Sequence, residues 1–263
     1  MLLREPRRAL HARIAATLES QFSEIVENQP EILARHCTEA GLIEKAAALW
    51  GKAGQRSLAR SALAEGAVQL TRALAEIAAL PPTPATRREQ IMLRVAMITP
   101  LLHVKGYAAP ETKAAVEQAR LQIEQAEALG EPPDPLLLFA VLYGFWVANY
   151  VAFNGIALRE LAVQFLGIAG KQKAVVPLMV GHRLMGASLV FTGSIAQGRV
   201  HYDQAFALYD PAEHRPLALR FGQDVRVTIL SFRSHALWLL GYPDAASTGG
   251  KPQELEWGNT PAS

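Results

Sequence analysis

Apolar residues recur at spacings of three and four along almost the whole chain, with Ala and Leu dominant and β-branched clusters few. A stripe of that period is what a helix burying one face requires, so the pattern predicts helices throughout. Turn signals cut it into short elements at Gly41, Gly54, Pro81-Pro82, Gly106, Gly130 to Asp134, Asn154-Gly155, Gly170, Gly193, Asp210-Pro211 and Gly241. Helix starts are marked as well. Thr86 and Glu89 have capping-box spacing, in which each side chain bonds the other's free backbone N–H. Asp134-Pro135 and Asp210-Pro211 set an acidic cap before a proline, and Ala109-Pro110-Glu111 opens another helix in a similar way. Proline is tolerated there because a first-turn N–H has no helical partner. Pro81-Pro82-Thr83-Pro84 and Gly130-Glu131-Pro132-Pro133-Asp134 are too short to be tethers and read as tight connections between helix pairs.

The stretch from Pro135 to Leu158 carries no charge and reaches the length of a membrane-spanning helix. Tyr143, Gly144, Asn149, Tyr150, Asn154 and Gly155 interrupt it, and Asn154-Gly155 reads as a turn dividing the run. A buried helix is therefore expected and no membrane span. Glu111 to Leu129 is the opposite case, where Gln118, Arg120, Gln122, Glu124 and Gln125 mark an exposed outer helix. Past Ala246 the periodicity stops at Ser247-Thr248-Gly249-Gly250-Lys251-Pro252, leaving only Leu255 and Trp257 as isolated apolar residues. Disorder is expected over 247–263.

The chain also matches itself. Trp50, Ala53, Gly54, Ser57, Gly66, Leu70 and Ala73 have the same internal spacing as His182, Met185, Gly186, Leu189, Gly198, Tyr202 and Ala205. The offset from Gly54 to Gly186 is 132 residues, close to four periods of about 34. Within each set the spacing resembles the tetratricopeptide pattern, W-x2-L-G-x2-Y followed by a small residue, a large one and an alanine. Small residues let two helices approach closely, and large ones fill the gap to the next pair. A third unit starts at Leu230, reaches Leu239-Leu240-Gly241-Tyr242-Pro243-Asp244-Ala245-Ala246 and then stops, so a truncated half-repeat is expected at that end.

Several longer stretches carry a more specific likeness. They are Leu3 to Ile14, Gln29-Pro30-Glu31-Ile32-Leu33-Ala34-Arg35-His36 with Glu39-Ala40-Gly41, and Lys105-Gly106-Tyr107-Ala108-Ala109-Pro110-Glu111. Ala207-Leu208-Tyr209-Asp210-Pro211 and Phe221-Gly222-Gln223-Asp224 complete the set. Together they resemble the C-terminal region of large bacterial proteins that join a class III nucleotide cyclase, a STAND-type AAA ATPase and a tetratricopeptide-like array. The resemblance covers roughly residues 2 to 246 and implies a truncated fragment of such a protein's C-terminal array. The family's catalytic residues sit in the cyclase and ATPase domains, and none can be carried over to this chain. The implied organisation is the end of an ATPase-type module or a leading helix over 1–28, first repeats over 29–80, a continued array over 81–246, and the tail.

Composition and charge narrow the chemistry. With 26 basic and 24 acidic residues the net charge is +2, without the clustered basic face of a nucleic-acid binder. Cys37 is the only cysteine, which excludes an intrachain disulfide and a thiolate cluster and suits a cytoplasmic setting. Met1-Leu2-Leu3-Arg4-Glu5-Pro6 does not read as a signal peptide. A phosphate-binding loop needs G-x-x-x-x-G-K-[ST], but Gly170-Lys171 runs into Gln172 and Gly250-Lys251 into Pro252. No two histidines have the H-E-x-x-H spacing, and His36 and Cys37, being adjacent on a helix, diverge. There is no G-x-S-x-G elbow, and Gly186-Ala187-Ser188 falls in a helical stretch where it reads as close packing. No catalytic residue, cofactor or metal is expected.

The expected fold is all-α, a tetratricopeptide-like right-handed superhelix of about six to seven antiparallel helix pairs. In such a solenoid the first helices of each pair line a concave face. Tyr143, Trp146, Asn149 and Tyr150 are the candidates for peptide or effector binding there, against the alternative of core packing. Arg4, Arg7, Arg8 and Arg13 form a basic N-terminal helix, either a solvated face or a docking face for an ATPase module or an acidic partner. The expected function is a non-catalytic protein-interaction scaffold, the sensor array of a cyclase/ATPase-like signalling protein. Its alternatives are a piece of an adenylate cyclase whose activity lies in other domains, or the regulatory array of a STAND-type transcriptional activator.

Overall fold

The computed structural model describes residues 4–131, 134–215 and 224–247. All regular structure among them is helical: α1 (Arg4–Gln21), α2 (Ser23–Asn28), α3 (Pro30–Ala40), α4 (Ile43–Ala59), α5 (Leu63–Ile77), α6 (Pro84–Val104) and α7 (Pro110–Ala128), then α8 (Pro135–Val151), α9 (Gly155–Gln172), α10 (Val175–Phe191), α11 (Ile195–Ala207), α12 (Pro211–His214), α13 (Val225–Leu239) and α14 (Pro243–Ser247). The chain forms two compact units, Met1–Gly144 and Phe145–Ser263, and the division falls within α8. None of the described helices is long and apolar enough to cross a membrane. Of the tail expected to be disordered, Ser247 ends α14 and the rest lies outside the described residues.

In the first unit α1 packs on α3, and α3 to α6 each pack on the next helix along the chain. One continuous core gathers Ala15, Leu33, Cys37, Ala46, Trp50, Leu70, Ala73, Leu93 and Met97. In the second unit α9, α10, α11 and α13 follow the same neighbour-on-neighbour rule, with Met179, Ala205, Val225 and Ile229 clustered between them.

Most helix ends lie where the sequence signals them. Gly41, Gly106, Gly130, Gly193 and Gly241 all take positive φ, the conformation that a Cβ disfavours. The uncharged run divides at Asn154, whose Oδ1 accepts from the Ala157 N–H at 3.3 Å and caps α9. Three signals read differently in three dimensions. Gly54 lies inside α4 and does not end a helix, because a buried glycine there serves packing. Gly170 is likewise helical, within the last turn of α9. The capping box is formed by Thr83 and Thr86 and not by Thr86 and Glu89. Thr83 Oγ1 accepts from the Thr86 N–H at 3.2 Å, and Thr86 Oγ1 accepts from the Thr83 N–H at 2.8 Å. Pro84 fits the first helical position, so α6 begins one turn earlier than its polar pattern suggests.

The internal match is a match of contacts. A Cβ on Gly54 of α4 would stand 2.7 Å from Leu70 Cγ of α5, and one on Gly186 of α10 would stand 2.9 Å from the Tyr202 ring of α11. A Cβ on Gly66 would meet Leu58 at 2.7 Å and the Gly54 carbonyl at 3.3 Å. At Gly198 the equivalents are Val190 at 2.6 Å and the Gly186 carbonyl at 2.8 Å. The same glycine-to-glycine crossing of two helices is thus built twice, once in each unit.

Candidate functional site

A cleft of about 310 Å³ opens on the first unit. Its walls are Glu31, Ile32, Arg35 and His36 of α3, and Glu65, Val68, Gln69 and Arg72 of α5, with Trp50 of α4 between them. Residues three and four apart share one helix face, which is how each wall draws four side chains from two turns. The Trp50 indole is buried, and its Nε1–H donates to Thr38 Oγ1 at 3.1 Å. Thr38 in turn donates to Glu76 Oε1 at 2.5 Å. The Arg72 guanidinium lies over the Trp50 ring, 4.6 Å from its centroid, in a cation–π arrangement.

Hydrogen bonds hold the second wall in place. Buried Gln69 accepts from Ser57 Oγ at 2.7 Å and donates to Glu65 Oε1 at 3.1 Å. Arg35 and Arg72 have no ion pair among the described residues. Burial pushes the His36 imidazole below its ordinary value, and nearby His11 and Arg35 add to the effect. The neutral ring hydrogen-bonds His11 through the two Nδ1 atoms at 2.9 Å. Cys37 faces the core, and burial raises its thiol pKa, which keeps it protonated and unreactive.

Two hydroxyl groups beside the cleft are committed to hydrogen bonds. The Ser57 hydroxyl is spent on an amide, and the Thr38 hydroxyl on a carboxylate. Among the described residues no three His, Cys, Asp or Glu side chains are grouped to hold a metal ion. The cleft offers the guanidinium groups of Arg35 and Arg72 and the carboxylates of Glu31 and Glu65 around a buried indole, which suits an extended polar segment with an acidic side chain.

The residues singled out from the sequence are placed as follows. Trp146 is buried, and its Nε1–H donates to Ser188 Oγ at 2.9 Å. Tyr150 stacks on Trp146 with ring centroids 5.1 Å apart and meets Phe191 edge-on at 5.0 Å. Asn149 donates to the Phe145 carbonyl and accepts from Asn154 Nδ2, so its amide serves the α8–α9 turn. Tyr143 is half-buried and belongs to the first unit. Trp146, Asn149 and Tyr150 thus form one local group, and the indole within it is a core element. On α1, Arg7 pairs with Glu39 at 3.5 Å and Arg8 Nε donates to the Ala40 carbonyl at 3.4 Å. Both fasten α1 to the C-terminal end of α3, where a cation suits the helix dipole. Arg13 is exposed. Arg4 opens α1.

The cleft was not legible in the sequence because its charges sit on two helices about 35 residues apart. The one available signal was Trp50, read there only as a repeat landmark.

No known family profile matches the chain. An uncharacterized protein of Rhizobium meliloti (strain 1021) is 23% identical over 246 residues, covering 93% of this chain and 23% of that protein. The chain therefore spans under a quarter of the length of the curated relative it matches.

Proposed function

We propose that this chain is a non-catalytic interaction scaffold, a tetratricopeptide-like right-handed superhelix acting as the sensor array of a larger cyclase/ATPase-type signalling protein. The observation that carries this reading is the duplicated helix crossing. Gly54–Leu70 and Gly186–Tyr202 repeat one contact at an offset of 132 residues, as an array of stacked helix pairs requires. The first-unit cleft supports a binding role, since Trp50, Arg35 and Arg72 are the residue types that dominate binding hot spots. A relative more than four times as long, matched over nearly all of this chain, supports its place as one segment of a larger protein. A partner, either a peptide segment or the protein's own cyclase and ATPase modules, occupies the array and biases a switch elsewhere.

The test is turnover. Purified chain incubated with ATP or GTP and Mg²⁺ or Mn²⁺ is expected to yield no cyclic nucleotide and no phosphate above a protein-free control. Product that disappears on a core-preserving point change would overturn the reading.

A further inference from the structure

Within the second unit α13 repeats α10 at an offset of 48 residues, Gly193 to Gly241. Both helices run into a glycine of positive φ, 90° at Gly193 and 88° at Gly241. The Ser194 N–H donates to the Leu189 carbonyl at 2.8 Å, and the Tyr242 N–H donates to the Leu237 carbonyl at 3.0 Å. The turn that sends α11 back across α10 is therefore built again between α13 and α14. Ala246 of α14 takes the position of Gly198.

The stripe of α10 that α11 covers is Met179, His182, Gly186 and Val190. Met179 clusters with Ala205, and His182 hydrogen-bonds His201 through the two Nδ1 atoms at 2.9 Å. Gly186 meets the Tyr202 ring, and Val190 lies against Gly198. The counterparts on α13 are Val227, Leu230, Ser234 and Trp238, spaced to share one helix face. Their surroundings differ sharply. Val190 is 6% exposed and Trp238 is 62% exposed, while Met179 is 0% exposed and Val227 is 60% exposed. α14 has 5 residues. It rises about 7.5 Å, against about 16 Å for the stripe from Val227 to Trp238, so it leaves most of that face open.

We propose that the Val227–Trp238 face of α13 docks an amphipathic helix of a partner protein, one that carries the pattern shared by α5 and α11. That pattern is a glycine, a large apolar residue four positions on and an alanine three beyond it. It occurs as Gly66, Leu70 and Ala73 and again as Gly198, Tyr202 and Ala205. On the template of the α10–α11 crossing, the glycine lets the partner backbone lie against Trp238. The large residue meets Ser234, and the alanine meets Val227. No residue of the stripe is charged, so an apolar helix face complements it, with the indole as its anchor. The chain's own sequence at the same offset lacks the pattern, since Tyr202 and Ala205 correspond to Gly250 and Gln253, with Pro252 between them. The proposal rests on the helix-pair scaffold reading, but turnover and helix docking are separate readouts, so either can fail alone.

The test is fluorescence anisotropy of a labelled synthetic peptide, residues 194–209 of this chain, titrated with untagged full-length protein. The expected result is saturable binding, weakened about tenfold or more by Trp238→Glu in the protein or by Gly198→Leu in the peptide. Val163→Glu, on an exposed position of α9 in the same unit, should leave binding unchanged. Trp238 and Val163 are both exposed, so both variants should keep the fold, which circular dichroism checks. Absence of binding, or binding that survives folded Trp238→Glu, would overturn the proposal. Self-association of the wild-type chain that Trp238→Glu abolishes would assign the face to a second copy instead. Peptide binding that appears only after removal of residues 248–263 would assign it to that segment, again against a partner helix.

Discussion

Gly186 and Gly198 mark the point where α10 and α11 touch backbone to backbone. A methyl group on Gly198 would stand 2.8 Å from the Gly186 carbonyl oxygen and 3.1 Å from the Val190 nitrogen. Neither atom can swing aside as a side-chain tip can.

Alanine at this position therefore forces the helices apart. Gly198→Ala should lower stability by about 1–3 kcal/mol through overpacking, outweighing the roughly 1 kcal/mol that alanine gains in a helix. Gly54→Ala should also destabilise, because the atom it would strike belongs to Leu70, which is fully buried. Gly167 is the control. It is exposed within α9, and a Cβ there would meet nothing within 4 Å. Gly167→Ala should raise stability by about 0.5–1 kcal/mol. Urea denaturation of the three variants decides this, and equal effects at all three would remove the close-packing argument.

A second prediction concerns Ser188. Its Oγ is the acceptor for the buried Trp146 indole N–H and lies 2.8 Å from the Leu184 carbonyl and 3.1 Å from the Leu158 carbonyl. Ser188→Ala leaves that N–H buried without its partner, which should cost about 1–3 kcal/mol. Ser188→Thr adds a methyl group at a site with no exposure and should also destabilise. Thermal melts of both variants read this directly. An unchanged melting temperature for Ser188→Ala would show that the indole does not depend on the hydroxyl.

The histidine pairs set the response to acid. His36, His182 and His201 are all held below the ordinary value of 6.5, each chiefly by burial. In the window between their folded pKa values and 6.5 the unfolded chain binds more protons than the folded one. Stability is therefore fully present above pH 6.5 and falls as pH drops through the folded values. A fully protonated pair would also set two N–H groups against each other at the Nδ1 contact. The urea midpoint should drop between about pH 7.5 and about pH 5.5, a range that brackets ordinary imidazole titration. Replacing His182 and His201 together by Gln should shrink that drop. A midpoint that rises on acidification would contradict the assignment.

Helix periodicity, the turn at Asn154 and the matched sets around Gly54 and Gly186 were all legible because each is a local pattern read within a few turns. Where a pattern has two physical uses, sequence alone chose poorly. Gly54 counts as both a turn signal and a packing residue, and only the position of Leu70 on the neighbouring helix separates the two. Thr86 looked like a cap because Glu89 has the right spacing, but Pro84 had already opened the helix. The candidate site was hardest to see. Arg35 and Arg72 meet across Trp50 only because α3 and α5 both pack on α4 in the first-unit core. Trp146 drew notice as an aromatic beside Asn149 and Tyr150, and nothing in its neighbourhood announced Ser188 on α10 as its partner.

The most direct test of a scaffold built around the first-unit cleft is a peptide array probed with purified chain. Wild-type protein and Trp50→Phe, Arg35→Glu and Arg72→Glu variants would be compared, each checked for fold by circular dichroism. The account predicts that wild-type protein selects segments with an acidic residue, and that folded Arg35→Glu and Arg72→Glu lose those segments by tenfold or more. Selected peptides that bind both charge-reversed variants as well as wild type, or an array with no selection at all, would contradict it.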